Sequence, residues 1–309
     1  MSVAFLFPGQ GSQSVGMLAE LANACPQVEE TFAEASEVLH YDLWHLVQSG
    51  PESELNQTDK TQPAMLAAGV ATWRAWSAGG GGEPAFMAGH SLGEYSALVC
   101  AGAIAFQDAV RVVEKRGQFM QQTVAVGEGA MAAILGLSDD DVLLACDEAS
   151  QGDVVQAVNF NAPGQVVVAG HRGAVERAIA VAKEKGAKRT VMLPVSVPSH
   201  CALMQPAAER LAVVLADIEI RAPRVPVIHN ADVSGHDDAG DIRKALTQQL
   251  YQPVRWVETI EFFVKNGVTR VVEAGPGKVL SGLNRRIDRS MTAVPVFDSD
   301  ALTAALGGQ

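Results

Sequence analysis

The sequence predicts an α/β fold with a second, smaller unit inserted into it, on three observations. Short apolar runs at 3–7, 84–88, 225–229, 268–273 and 294–297 are punctuated by glycine and proline and alternate with amphipathic helical stretches, as buried strands of a layered α/β domain do. One of these runs breaks on Gly89-His90-Ser91-Leu92-Gly93 and continues into a helix-forming segment. From 127 to 194 the order becomes strand, helix, strand, strand, helix, strand, which is the βαββαβ ferredoxin-like arrangement, complete within itself. The expected organisation is therefore a main domain of 1–126 and 195–309 with a ferredoxin-like subdomain at 127–194.

Taken in order, residues 3–7 form a first strand that ends at Pro8-Gly9. The following loop, Gly9-Gln10-Gly11-Ser12-Gln13, fails as a dinucleotide fingerprint because Ser14 stands where its third glycine is needed. It can still bring backbone amides to a ligand, with Gln10 as the natural donor. Helices are expected at 28–39 and 62–76, and Gly79 to Gly82 then lead into the strand at 84–88. Further helices follow at 92–101, stopped by Gly102, and at 106–120. The inserted unit should have strands at 130–137, 154–160, 165–169 and 189–193, with helices at 138–150 and 172–185. An extended run at 195–201 leads into a helix ending near 216, and another helix is expected at 240–250. Gly275-Pro276-Gly277-Lys278 fails as a phosphate loop, since Val272 replaces the first glycine and Val279 the hydroxyl residue.

Composition narrows the function. A chain of 309 residues with 48% hydrophobic and 19% charged residues is an ordinary globular protein with a sizeable core. The net charge of −12 argues against nucleic-acid binding, which needs clustered cations. Met1-Ser2-Val3-Ala4 has no basic, apolar leader character, and the longest apolar stretch, around 97–106, is too short to span a bilayer, so a cytoplasmic location without membrane attachment is expected. The cysteines Cys25, Cys100, Cys146 and Cys201 are too scattered for a zinc site or a disulfide framework, and no metal or cofactor is expected. Lys183, Lys185, Lys188 and Arg189 form the densest basic cluster, either a solvated face or a docking patch.

The turn at Ser91 carries the chemistry. A strand that turns sharply into a helix pushes its middle residue into a strained backbone conformation, and Gly89 and Gly93 leave room for it. Such a turn points the Ser91 hydroxyl out of the sheet as a nucleophile and puts the Leu92 amide at a helix N-terminus, where it can stabilise an oxyanion. His200 is the candidate base, in a loop between an extended run and a helix. His40, His45, His171, His229 and His236 are assigned no role, and His90 is read as part of the turn. Cys201 lacks the strand–turn–helix context of a rival nucleophile. Arg116 lies on the apolar stripe of Ala109, Val112, Val113 and Met120, so its guanidinium needs a partner. That partner is either a core carboxylate or a carboxylate on the substrate.

Phe7-Pro8-Gly9-Gln10-Gly11-Ser12-Gln13, Gly89-His90-Ser91-Leu92-Gly93-Glu94 and Val197-Pro198-Ser199-His200, in this order and spacing, resemble the malonyl-CoA:acyl carrier protein transacylases of bacterial fatty-acid synthesis, over nearly the whole chain. The resemblance implies an α/β-hydrolase-like core with the ferredoxin-like insertion. It implies transfer of a malonyl group from malonyl-CoA to the phosphopantetheine thiol of acyl carrier protein through a malonyl-serine; a monomer is expected. By the same resemblance Ser91 is the nucleophile, His200 the base, Gln10 and Leu92 the oxyanion amides, and Arg116 the grip on the malonyl carboxylate. Gln249 would orient the histidine through its backbone carbonyl, and Asn161 would be a polar residue of the pocket. One departure stands out. Related acyltransferase domains of polyketide synthases that choose malonyl often have phenylalanine before the histidine, where this chain has Ser199, so selectivity rests more heavily on Arg116. A serine esterase or thioesterase on the same turn is the alternative, but no acidic residue between Ser91 and His200 sits at a convincing strand end. A non-catalytic carrier-protein docking module would leave the settings of Ser91 and His200 unexplained.

Overall fold

The computed structural model describes residues 2–195 and 197–307; Ser196, within the extended run expected before His200, lies outside them. Among the described residues nine strands form two sheets: β1 (Ser2–Phe7), β2 (Phe86–Gly89), β3 (Gly129–Leu135), β4 (Val155–Ala162), β5 (Gln165–His171), β6 (Arg189–Met192), β7 (Val227–Ile228), β8 (Val268–Ala274) and β9 (Thr292–Val296). The first sheet runs β7-β2-β1-β8-β9 with every pairing parallel. The central strand β1 is buried on both faces. Phe5 meets Trp73 and Trp76 of the helix Thr58–Ala78 edge-on, at centroid separations of 4.9 and 5.0 Å. The alternate residues Ala4 and Leu6 join Trp256, Ile260 and Phe263 on the other face. This two-sided burial is why β1 reads as a continuous apolar run rather than an alternating one. It places the C-terminal ends of β1, β2 and β7 side by side, where open α/β sheets bind ligands.

The second sheet, β4-β5-β3-β6, is antiparallel throughout and carries the helices Asp139–Ser150 and Arg172–Glu184 on one face, which is the ferredoxin-like arrangement. It is stitched to the main domain where β4 meets residue 254: Val254 N–H donates to the Val158 carbonyl at 2.8 Å, and Phe160 N–H to the Val254 carbonyl at 3.0 Å. Elsewhere the boundaries move for local reasons. The helix expected at 62–76 begins four residues earlier at Thr58, with Pro63 inside its second turn, where one backbone hydrogen bond is forgone. Trp256–Lys265, not anticipated as a helix, buries Trp256, Thr259, Ile260 and Phe263 at helical spacing despite its β-branched and aromatic content. Among the described residues no helix is long and apolar enough to cross a membrane.

Candidate active site

The turn after β2 is built by exclusion. A Cβ on Gly89 would lie 1.8 Å from the carbonyl carbon of Gly93, and one on Gly93 would lie 2.0 Å from the Phe7 carbonyl oxygen, so neither position accepts a side chain. Between them Ser91 is held at φ 51°, left-handed and strained for a residue with a Cβ. Asn230 clamps this strand-to-helix turn from outside: its Oδ1 accepts from Ser91 N–H and its Nδ2 donates to the Gly89 carbonyl, both at 2.7 Å. The loop after β1 packs against the same turn, because a Cβ on Gly9 would sit 2.4 Å from the His90 carbonyl oxygen and 3.7 Å from the Leu92 nitrogen. Gln10 and Leu92 therefore line one cleft with Ser91. The Leu92 N–H lies at the start of the helix Gly93–Cys100, where the helix itself supplies no acceptor.

His200 faces Ser91 across this cleft, its Nε2 2.8 Å from the Ser91 Oγ. Its Nδ1 lies 2.6 Å from the backbone carbonyl of Gln249. A carbonyl only accepts, so Nδ1 carries the proton and Nε2 is left as the acceptor for the serine hydroxyl. Burial, followed by the nearby charge of Arg116, pulls the imidazole down to about 3, which keeps it neutral and able to take a proton. Cys201 next to it is buried, hydrogen-bonds through Sγ to the Pro198 carbonyl, and has its thiol pushed up to about 11 by burial.

Arg116 projects from the helix Phe106–Thr123 into the same place and is only 1% exposed. Its two terminal nitrogens donate to Gln62 Oε1 at 2.8 Å, Gln249 Oε1 at 3.0 Å and Ser91 Oγ at 3.3 Å. These acceptors are all neutral, so the guanidinium is held in place without being neutralised. The helix reaches this depth because Gly117 lets it touch the helix Thr58–Ala78; a Cβ there would meet the Asp59 Cα at 2.6 Å. A buried cation resting on amide and hydroxyl oxygens beside a serine is arranged to receive an anionic ligand.

Asn161, expected near the pocket, stands directly behind the cleft wall: its Oδ1 meets Nε2 of the lining residue His90 at 2.8 Å, while Asn159 lines the cleft itself. The register of β4 shifts between Ala157 and Asn159 and again between Phe160 and Ala162, which breaks the simple alternation that would have put both asparagines on one face. His90 packs on Trp256 with centroids 5.4 Å apart. Four residues given no role in the sequence belong to the buried polar layer under Ser91: Gln62, Glu94, His229 and Asn230. The carboxylate of Glu94 accepts from His229 Nδ1 at 2.7 Å, Asn230 N–H at 2.9 Å and Gln249 Nε2 at 2.9 Å. Signals for them were present. Gln62 and Glu94 are polar residues bordering apolar runs of their helices, and His229 and Asn230 follow directly on a parallel strand.

The sequence pattern of the acyl transferase domain matches residues 4–297. The malonyl CoA-acyl carrier protein transacylase of Salmonella typhimurium is 61% identical, over 98% of both chains. Among solved structures, the malonyl CoA-acyl carrier protein transacylase of Coxiella burnetii superposes with a TM-score of 0.99 at 54% identity, covering 99% of this chain and 97% of that one. A type II PKS acyl-carrier protein in complex with its malonyl-transacylase matches with a TM-score of 0.99 at 57% identity over the whole of both chains. With a nucleophile turn, a histidine and a buried guanidinium converging on one hydroxyl, the chain belongs to the acyl transferase domain family.

Proposed function

We propose that this protein transfers the malonyl group of malonyl-CoA to the phosphopantetheine thiol of acyl carrier protein, supplying extender units for fatty-acid synthesis. The observation that carries this reading is the Arg116 guanidinium 3.3 Å from Ser91 Oγ. A cation so close to the nucleophile favours a short acyl group with a carboxylate next to the reacting carbonyl, as in malonyl, over a long neutral chain. In the first half-reaction Ser91 Oγ attacks the thioester carbonyl and His200 Nε2 takes its proton. The Leu92 and Gln10 amides receive the oxyanion, and the intermediate collapses as His200 returns the proton to the departing CoA thiol. The carrier thiol then repeats the sequence on malonyl-Ser91. Gln249 keeps the imidazole in its reactive tautomer through its carbonyl, in the place of a triad acid.

The carrier protein approaches, on this reading, over Lys188 and Arg189. Both are exposed, and Arg189 opens β6, the strand that runs on to Leu193 and Val195 in the cleft lining. Lys185 is already paired with Glu148 at 2.7 Å and has less charge to offer an acidic partner.

Intact-protein mass spectrometry after brief mixing with malonyl-CoA, native chain against Ser91→Ala, tests the reading. A malonyl-sized adduct on the native chain alone, discharged by added acyl carrier protein, is the expected result. Steady release of CoA and malonate without an adduct would make the protein a thioesterase instead.

A further inference from the structure

We propose that the side chain of Gln249 is a positioning residue for the substrate clamp: its amide separates Arg116 from the buried carboxylate of Glu94 and holds the guanidinium un-neutralised, facing Ser91. The inference rests on the malonyl-transfer reading and concerns the side chain, whereas the histidine is held by the backbone of the same residue. Both N–H groups of the amide are used. Its Oε1 accepts from Arg116, and its Nε2 donates both to Glu94 Oε2 and to the Ser91 carbonyl, each at 2.9 Å. Glu94 is fully buried, and its carboxylate meets the backbone N–H of Asn230, the side-chain Nε2 of Gln249 and the Nδ1 of His229. The negative charge that makes a buried guanidinium tolerable therefore stands one amide away from Arg116.

This spacing matters for chemistry. A direct Arg116–Glu94 ion pair would be a closed structural salt bridge, and a malonyl carboxylate would have to displace the glutamate. With the amide between them, the neutral oxygens of Gln249 and Gln62 orient the guanidinium and yield to a carboxylate ligand, which adds opposite charge and can take two of its N–H groups at once.

Two substitutions leave the Gln249 backbone carbonyl on His200 and change only the side chain. Gln249→Met removes the spacer, and Gln249→Glu puts a carboxylate directly on Arg116. Two rates are measured on native protein and variants: malonyl-Ser91 formation from malonyl-CoA, and labelling of Ser91 by a fluorophosphonate, which requires the Ser91–His200 pair and not the clamp. Malonyl acylation should fall about a hundredfold in both variants, chiefly through a raised KM, and by much more than labelling falls. Equal losses in the two assays, or no loss of malonylation, overturn the proposal. If Gln249→Met does not fold, the isosteric Gln249→Glu carries the test alone. A native chain that labels with fluorophosphonate but never takes malonyl refutes the transfer reading rather than the role of Gln249.

Discussion

β2 and β8 flank β1 on opposite sides, run in the same direction, and each passes through a glycine-bearing turn into a helix. Only one of them makes a reactive site. After β8 the turn Gly275-Pro276-Gly277-Lys278 leads into the helix Val279–Ile287, whose first amides are already taken: Leu280 N–H and Ser281 N–H donate to the carboxylate of Glu273 at 2.9 and 2.7 Å. After β2 the buried glutamate of the unit, Glu94, sits inside the helix and binds the layer beneath, leaving the helix start to Ser91 and Leu92. A strand–turn–helix unit becomes a site when its own side chains do not fill the helix N-terminus. This also explains in physical terms why the glycine-rich segment at 275–278 is no phosphate loop.

The largest effect that this comparison predicts comes from adding one methyl group to each turn. Gly89→Ala drives a Cβ into the backbone of Gly93 at 1.8 Å, and we expect a loss of at least about 3 kcal/mol and of all acyl transfer. Gly277→Ala has the less usual backbone, at φ +78°, but open space around it, and should cost about 1 kcal/mol without touching transfer. Chemical denaturation of the two variants together with a transfer assay decides this. Comparable losses at both glycines would mean that backbone strain, and not the closeness of the two chain segments, is what the glycines relieve.

Arg116→Ala acts next, on the occupied side of the same turn. Malonyl acylation should fall about a hundredfold while activity on uncharged acyl thioesters rises, since the anion's partner is gone and the pocket gains room. Unchanged malonyl transfer would remove Arg116 from the clamp. The pH profile sharpens the result. Because His200 is held at about 3 by burial and then by Arg116, acylation of the native chain should stay flat as pH falls through the ordinary histidine range. Without the guanidinium the second of these causes disappears, and the acid limb should move to higher pH.

The strands and the nucleophile turn were legible because each depends on neighbours in sequence: apolar runs between breakers, and Gly89 and Gly93 at fixed distance from Ser91. The helical position of Arg116 likewise announced a buried cation. In the layer under Ser91 the polar residues were visible but their pairing was not, because partners meet across long separations, more than a hundred residues where Glu94 meets Asn230 and Gln249. No local pattern distinguishes an asparagine that clamps a turn from one that ends a strand. That Asn159 and not Asn161 meets the cleft was illegible for a related reason, since two register shifts in one strand leave no trace in its composition.

The smallest effect tests the filled turn. Glu273 is fully buried, and burial raises its carboxyl above the ordinary glutamate range, against the amide hydrogen bonds that favour its charged form. A group whose native value is raised contributes stability that is complete below its unfolded value and lost as pH rises through the native one. Glu273→Gln keeps one acceptor, loses the other and does not ionise, so near neutral pH the cost of the lost amide contact is offset by the removed cost of burying a charge. We expect a net change of about 1 kcal/mol or less there. The native chain should gain on the variant as pH falls from neutral into the ordinary glutamate range, because only the native chain recovers its ionisation cost. Urea melts at the two ends of that interval measure that difference, and malonyl transfer should be unchanged at both. A variant that kept its stability but lost transfer would make the β8 turn part of the site, and the contrast between an open and a filled helix start would fail.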